Sequence, residues 1–351
     1  MRHTVIEEDL RRICSSDLPW SAFRGKTVLI SGAGGFLPAY LVETLLYLNE
    51  TVPGQNTQVI ALVRSLAKAQ RRLDAYRNRQ DLRLIAHDVT RPLPEVGHPE
   101  FIIHGASPAS PRDFGRDPLA TVAANVWGTQ HLLALAGESR SEGFLFLSSG
   151  AVYGRPKSPE QRLGEQDYGV IDPLDVNLCY AESKRLGETL CACWRHQFGV
   201  PAKIVRIGHA YGPGMRLDDG RVSRDFVADV LQRRPLRLKS DGSARRSFCY
   251  LSDVTAAFFT VLLRGAAGEA YNVADEAAEC SILELANLLI ALFPERQLRI
   301  VREEPEAATT DLRCKFAEAQ FDTSKIKALG WRPTTSPAEG FRRTIRSFEP
   351  A

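Results

Sequence analysis

Residues 26–40 read KTVLISGAGGFLPAY and announce the architecture of the chain. It opens as a short aliphatic, β-branched run, breaks at glycines, and continues as a helix-like sequence. A strand that ends in glycine and passes straight into a helix lets the backbone approach a phosphate, and the helix N-terminus offers unpaired N–H groups to it. Gly32 and Gly35 carry this reading in a G-x-x-G spacing, and Pro38 stands where a third glycine commonly sits. Proline is tolerated in a first helical turn, where its missing N–H would find no intrahelical partner. Glycines alone describe any tight turn. Their place between a first strand and a first helix is what favours a dinucleotide site.

Farther along the chain the same alternation repeats. Strands are expected at 26–31, 58–63, 82–87, 101–104, 144–148 and 202–207, with helices over 36 to about 49 and, strongly basic, over 66–79. Strands alternating with helices predict an α/β chain built on a mainly parallel, doubly wound sheet. Residues 1–25 read as an N-terminal extension in which Val5, Ile6, Leu10 and Ile13 line one side of a short helix. A first domain is expected over 26–185 and a smaller α/β domain over 186–351, with 202–212 returning to the main sheet.

Composition excludes other classes. With 45 basic and 42 acidic side chains the net charge is only +3, which removes the basic excess of a nucleic-acid binder. No apolar run approaches the ~20 residues that span a bilayer, and the N-terminus shows no apolar leader core. The seven cysteines are odd in number and scattered. Only Cys191 and Cys193 lie close, and side chains two apart on a helix do not face each other. They read as free thiols of a cytoplasmic protein without a metal.

The end of the second strand reports on the cofactor. The sequence there is ALVRS: Val63 stands where an acid would accept the ribose hydroxyls of NAD, and Arg64 follows. Arginine suits a 2′-phosphate, so Arg64 leans the reading toward NADP while leaving NAD open. Asp88, after the third strand, is placed to accept from the adenine amine.

Tyr180 and Lys184 stand at i, i+4 in YAESK, which puts both on one helix face. A phenol titrates near ~10, and a neighbouring ammonium lowers that value. Such a tyrosine can take the proton from a sugar hydroxyl as hydride leaves the same carbon. Ser148 and Ser149 end the strand FLFLSS, at the carboxyl end where ligands of open α/β sheets bind. Ser149 is the candidate for bonding the reacting oxygen.

With these residues in hand, the chain resembles the extended short-chain dehydrogenase/reductases, in their NAD(P)-dependent nucleotide-sugar epimerase/dehydratase branch. The resemblance runs from about Lys26 to about Phe348. It rests on GAGGFLP, HGASPASP (104–111), NVWGT (125–129), SSGAVYG (148–154), YAESK, DDGRV (218–222), RSFCYLSD (246–253), YNVAD (271–275) and LGWRP (329–333). It implies a Rossmann-like NAD(P) domain, a C-terminal domain for a nucleoside-diphosphate sugar, a transient 4-keto sugar and a homodimer paired through helices that include the Tyr180 helix. It implies that Gly32, Gly35, Phe36 and Leu37 touch the pyrophosphate, that Asp88 and Val89 flank adenine, and that Ala106 and Ser107 line the cofactor, with Ser107 also near the sugar. Lys184 would hold the nicotinamide ribose and Asn125 would support the Tyr180 helix. Arg246, and second to it Arg221, would bind the substrate diphosphate, as a guanidinium fork fits phosphate oxygens.

The motifs look most like the UDP-glucuronate decarboxylase branch, yet that branch carries a glutamate directly before VYG and the 4,6-dehydratases an Asp-Glu pair. Here Gly150 and Ala151 occupy those positions, and neither can transfer a proton. The leading expectation is therefore a nucleotide-sugar epimerase. A decarboxylase or dehydratase with another acid stays open, with His209 a candidate for that acid or for sugar binding. A catalytically weak NAD(P)-binding regulatory protein is the reading from another class.

Overall fold

The computed structural model describes residues 2–156, 158, 161–303 and 320–349. Cys314, read above as a free thiol, lies outside the described residues. A parallel sheet of seven strands forms the centre, in the order β3–β2–β1–β4–β5–β7–β11. These are β1 (Thr27–Ser31), β2 (Gln58–Val63), β3 (Leu82–Ala86), β4 (Phe101–His104), β5 (Gly143–Ser149), β7 (Ala202–Ile207) and β11 (Ala270–Val273). A short β6 (Arg162–Leu163) lies between β5 and β7 in the chain. The sheet is Rossmann-like and doubly wound: chain order reverses between β1 and β4, and the crevice at their carboxyl ends is where such folds bind ligands.

Helices cover both faces. α1 (Thr4–Cys14), α2 (Phe36–Thr51) and α8 (Leu251–Arg264) pack on one face, around Leu10, Tyr40, Leu45 and Phe258. α5 (Pro118–Glu138) and α6 (Cys179–Phe198) pack on the other, around Leu132, Phe144 and Phe146. The central strands β1, β4 and β5 are buried along almost their whole length because both faces are covered. α3 (Leu66–Arg72) follows β2, and α4 (Pro111–Arg116) precedes α5.

The expected strands match within about a residue, but the basic helix expected over 66–79 ends at Arg72. Leu73 leaves helical geometry, and Asp74–Tyr76 forms a single 3₁₀ turn. That break turns both Leu73 and Tyr76 into the core, each 2% exposed, and Tyr76 Oη accepts from Arg2 Nε at 2.9 Å. Burial of two large apolar groups outweighs helical propensity here.

The N-terminal helix belongs to the core. Asp9 of α1 is fully buried, and its carboxylate gathers three distant groups. Tyr40 Oη of α2 donates at 3.1 Å, Tyr250 Oη at 2.8 Å, and Arg343 through Nη2 at 2.9 Å.

Past β7 the chain builds a smaller α/β unit. β8 (His209–Tyr211) runs parallel to β10 (Arg245–Tyr250), and β12 (Glu279–Ser281) antiparallel to it. β9 (Leu236–Leu238) pairs with β13 (Ile300–Arg302), and β14 (Gln320–Phe321) with β6. α7 (Val222–Leu231), α9 (Ile282–Leu292) and α11 (Pro337–Arg346) enclose Phe226, Phe248, Leu285 and Phe341, while α10 (Ser324–Ala328) packs beside β11. Of the segment 202–212, Ala202–Ile207 lies in the central sheet and His209–Tyr211 in the smaller one; Ala270–Val273 adds the central sheet's last strand. Among the described residues no helix is long and apolar enough to cross a membrane.

Candidate functional site

The site begins at the carboxyl ends of β1 and β4. Gly32 has φ +69°, and a Cβ there would lie 2.7 Å from the Ala106 Cα, so the turn and the β4 loop meet only because residue 32 has no side chain. Ser31 Oγ accepts from the N–H groups of Gly105 and Ala106 at 3.2 and 3.3 Å and bonds His104 Nδ1 at 2.7 Å. Gly35 caps α2 without a side-chain bond, so the first-turn N–H groups stay available, and Phe36 and Leu37 open the helix half-buried. Pro38 fills the space over Gly105, where a Cβ would come within 2.6 Å of its ring. The close approach of α2 to the loop after β4 is thus allowed by Gly105 and not by a third glycine on the helix.

At the far end, Val63 is buried and Arg64 exposed. Asp88 is exposed; its Oδ1 accepts from Thr90 N at 3.0 Å and Thr90 Oγ1 at 2.9 Å, which with the nearby Arg64 charge holds its carboxyl below the usual value. Val89 is buried against Gly128, and its carbonyl bonds His131 Nδ1 at 2.9 Å. Ser107 Oγ is buried with no hydrogen-bond partner among the described residues. A buried polar atom left open beside a glycine cradle fits a dinucleotide. Gly32, Gly35, Ala106 and Ser107 can hold its phosphate and ribose side.

β5 and α6 bring the second group together. Ser149 ends β5, and its Oγ accepts from Ala151 N at 3.2 Å. Tyr180 lies in the first turn of α6, and its ring stacks on Phe114 of α4 at 5.5 Å and 14°. Lys184, one turn on, is 3% exposed; its Nζ donates to Leu147 O at 2.6 Å and lies 4.7 Å above the Phe146 ring and 5.9 Å from that of Tyr180. Burial pulls its ammonium down to about 7, against the opposing Glu188 charge. Asn125 Nδ2 donates to Ser183 Oγ at 2.9 Å, tying α5 to the turn of α6 between Tyr180 and Lys184. Gly187 lets α6 lie close on both β5 and α5, since a Cβ there would sit 2.5 Å from the Phe146 ring and 3.2 Å from Asn125 O.

The third group sits on the smaller unit. Ile207 pairs in register with Ser149, and His209 follows two residues later, its ring 6.1 Å from Phe248. Arg246 opens β10, and its Nη1 donates to Arg245 O at 2.6 Å. Arg221 has two protein partners: Nη1 pairs with Asp219 at 2.7 Å, and Nη2 donates to Ala109 O. That second bond ties the DDGRV loop to the loop after β4. Asp113 of α4 pairs with Arg216 at 3.3 Å, so the helix that stacks on Tyr180 also pairs with the loop that leads into α7.

Sequence reasoning missed His104, Phe114, Glu188 and Arg224. His104 is fully buried and pushed down to about 3 by desolvation and by the Lys184 charge, so its ring is neutral. Arg224 is buried, pairs with Asp219 at 2.5 Å and lies 5.3 Å above the Phe36 ring. Positions 150 and 151 hold no acid. A side chain at Gly150 would run into the Phe321 ring, and Ala151 packs beside Ile171 and Ala181.

Comparison with known proteins gives one pattern. Residues 28–274 match the model of the NAD dependent epimerase/dehydratase family. The chain is 33% identical over 315 residues to UDP-glucuronic acid decarboxylase 3 of Arabidopsis thaliana, covering 89% of this chain and 86% of that protein. Its structure resembles DesIV, a dTDP-glucose 4,6-dehydratase from Streptomyces venezuelae solved with NAD and TYD bound. The TM-score is 0.76 at 25% identity, over 92% of this chain and 96% of that one. The fold is also that of a UDP-glucuronic acid 4-epimerase from Bacillus cereus, solved with UDP-glucuronic acid and NAD. There the TM-score is 0.75 at 21% identity, over 92% and 98% of the two chains.

Proposed function

The chain belongs to the NAD dependent epimerase/dehydratase family, and from that premise we propose that it is a nucleotide-sugar epimerase that works by removing and returning hydrogen at one sugar carbon. The bound dinucleotide supplies the hydride acceptor and donor. Tyr180 Oη takes the hydroxyl proton and later gives it back. Lys184, when charged, favours the phenolate by Coulomb attraction. Ser149 Oγ donates to the sugar oxygen and holds it against Tyr180. Arg246 and Arg221 bind the diphosphate, with Arg221 exchanging part of its present pairing for phosphate oxygens.

The observation that carries the epimerase reading is the absence of an acid at 150 and 151 beside an intact Ser149, Tyr180 and Lys184 set. Elimination of water across two carbons needs a separate acid and base at the neighbouring carbon. Return of hydrogen to the opposite face needs neither. A second reading, UDP-glucuronate decarboxylation, is favoured by the names of the relatives at 33% identity. A β-keto acid loses CO2 without a base, and only the later protonation calls for an acid, a role open to His209. The product of a nucleotide-sugar panel followed by NMR decides between the two.

The cofactor is NAD or NADP. Arg64 supports a 2′-phosphate, and the NAD in DesIV and in the B. cereus epimerase supports NAD. Titration of both, followed by fluorescence, ranks them. We also propose a homodimer through α5 and α6, supported by Leu119 and Trp127, which are 80% and 58% exposed on α5. The free thiols suit a cytoplasmic setting.

A further inference from the structure

Tyr180, Lys184 and Glu188 stand one helical turn apart on a single face of α6. The second and third members of that row meet the end of β5. Lys184 Nζ donates to Leu147 O at 2.6 Å. One turn later, Glu188 Oε1 accepts from Ser148 Oγ at 2.6 Å. Ser148 pairs in register with Arg206 of β7, and Arg206 closes the arrangement with a two-pronged bond to the same carboxylate, Nη2 to Oε2 at 2.7 Å and Nε to Oε1 at 3.1 Å. Arg206 is itself fixed. Its Nη1 donates to Glu165 O at 2.9 Å, and its guanidinium lies 4.9 Å over the Tyr153 ring. Ser148 and Arg206 are 2% and 4% exposed.

We propose that Glu188 is a positioning residue for the Ser149–Tyr180 pair: through Ser148 and Arg206 it sets the register of α6 against the ends of β5 and β7. The role rests on the reading of Tyr180 and Ser149 given under Proposed function. Consecutive residues 147 and 148 are each held by a residue of the Tyr180 row, so Ser149, next along, has its position against Tyr180 fixed by two bonds and not by packing alone. A hydrogen bond to a charged acceptor is short and directional, and an offset of about 1 Å between reacting groups costs up to ~10²-fold in rate. Glu188 has a second effect through charge. Lys184 is faced by Glu188 and Cys191 from its own helix and by neutral His104 from β4, so among the described residues Glu188 is the carboxylate opposing loss of the Lys184 proton. If Lys184 is neutral it no longer favours the Tyr180 phenolate.

The test uses four full-length variants, Ser148→Ala, Glu188→Gln, Glu188→Asp and Tyr180→Phe, each with kcat, KM for the nucleotide sugar, NAD affinity and the pH profile of kcat. Ser148→Ala should lower kcat about tenfold with KM and NAD affinity within about twofold. Glu188→Gln keeps length and loses charge; it should lower kcat and move the alkaline limb of the profile, where Lys184 loses its proton, down by about one pH unit. Glu188→Asp keeps charge and should restore the limb but not kcat. Ser148→Ala removes one hydroxyl and keeps the ion pair, so it stands as the test even if Glu188→Gln fails to fold. The proposal is overturned if Tyr180→Phe is inactive while Ser148→Ala turns over like the parent, or if the loss in Ser148→Ala lies wholly in KM. Turnover retained by Tyr180→Phe would instead overturn the reading of the site beneath it.

Discussion

Lys184 donates to the carbonyl of Leu147 at 2.6 Å, two residues before Ser149, so the helix of the Tyr180–Lys184 pair is bonded to the strand that ends in the candidate serine. The ammonium is buried, and desolvation lowers it to about 7. In the unfolded chain a lysine holds its proton to ~10.4. Between those values the unfolded state binds more protons, so this group makes stability rise with pH from about 7 upward and fall as pH drops toward 7. Lys184→Met should flatten that part of the curve in urea unfolding at pH 6.5 and pH 9. It should also reduce kcat by roughly 10²-fold or more, as expected for loss of a tuned acid–base pair.

Gly32→Ala tests the cradle. The residue has φ +69°, and the added carbon would lie 2.7 Å from the Ala106 backbone. The left-handed conformation alone costs about 1–2 kcal/mol for a residue with a Cβ. Cofactor affinity, measured by fluorescence titration, should fall at least about tenfold.

Gly150→Asp separates a missing acid from a missing space. The new side chain meets the Phe321 ring. Overpacking of this kind costs roughly 1–3 kcal/mol, so the melting temperature should drop. Adding Phe321→Ala should recover part of the loss, a coupling that a double-mutant cycle reads directly.

Asp9→Ala leaves Arg343 and two tyrosine hydroxyls buried without their carboxylate. Removing one partner of a buried ion pair costs about 3–5 kcal/mol. Denaturant unfolding should show that loss.

Trp127→Glu places a charge on the most exposed aromatic of α5. If the chain pairs through α5 and α6, sedimentation should show the variant as a monomer at concentrations where the parent is a dimer.

What was legible in the sequence is local. β1, its glycine turn and α2 are contiguous, and Tyr180 and Lys184 are one turn apart, so spacing alone describes them. The alternation of strands and helices gave the parallel sheet for the same reason. What was not legible joins distant residues: Asp9 meets Arg343 across 334 positions, Arg221 meets Ala109 across 112, and Phe114 stacks on Tyr180 from another helix. Glu188 was within reach, since it extends the Tyr180, Lys184 row by one turn, but its partners Ser148 and Arg206 come together only through the register of β5 and β7. The end of the basic helix at Arg72 was hidden because its cause is the burial of Leu73 and Tyr76.

In the proposed mechanism Tyr180 drives reversible removal of hydrogen from one sugar carbon and nothing more. The direct test is NMR of the purified protein with its cofactor and a panel of nucleotide sugars that includes UDP-glucuronate. The expected result is an epimer that keeps every carbon of its substrate, lost in Tyr180→Phe. Release of CO2 with a UDP-pentose, or of water with a 6-deoxy-4-keto sugar, would contradict it.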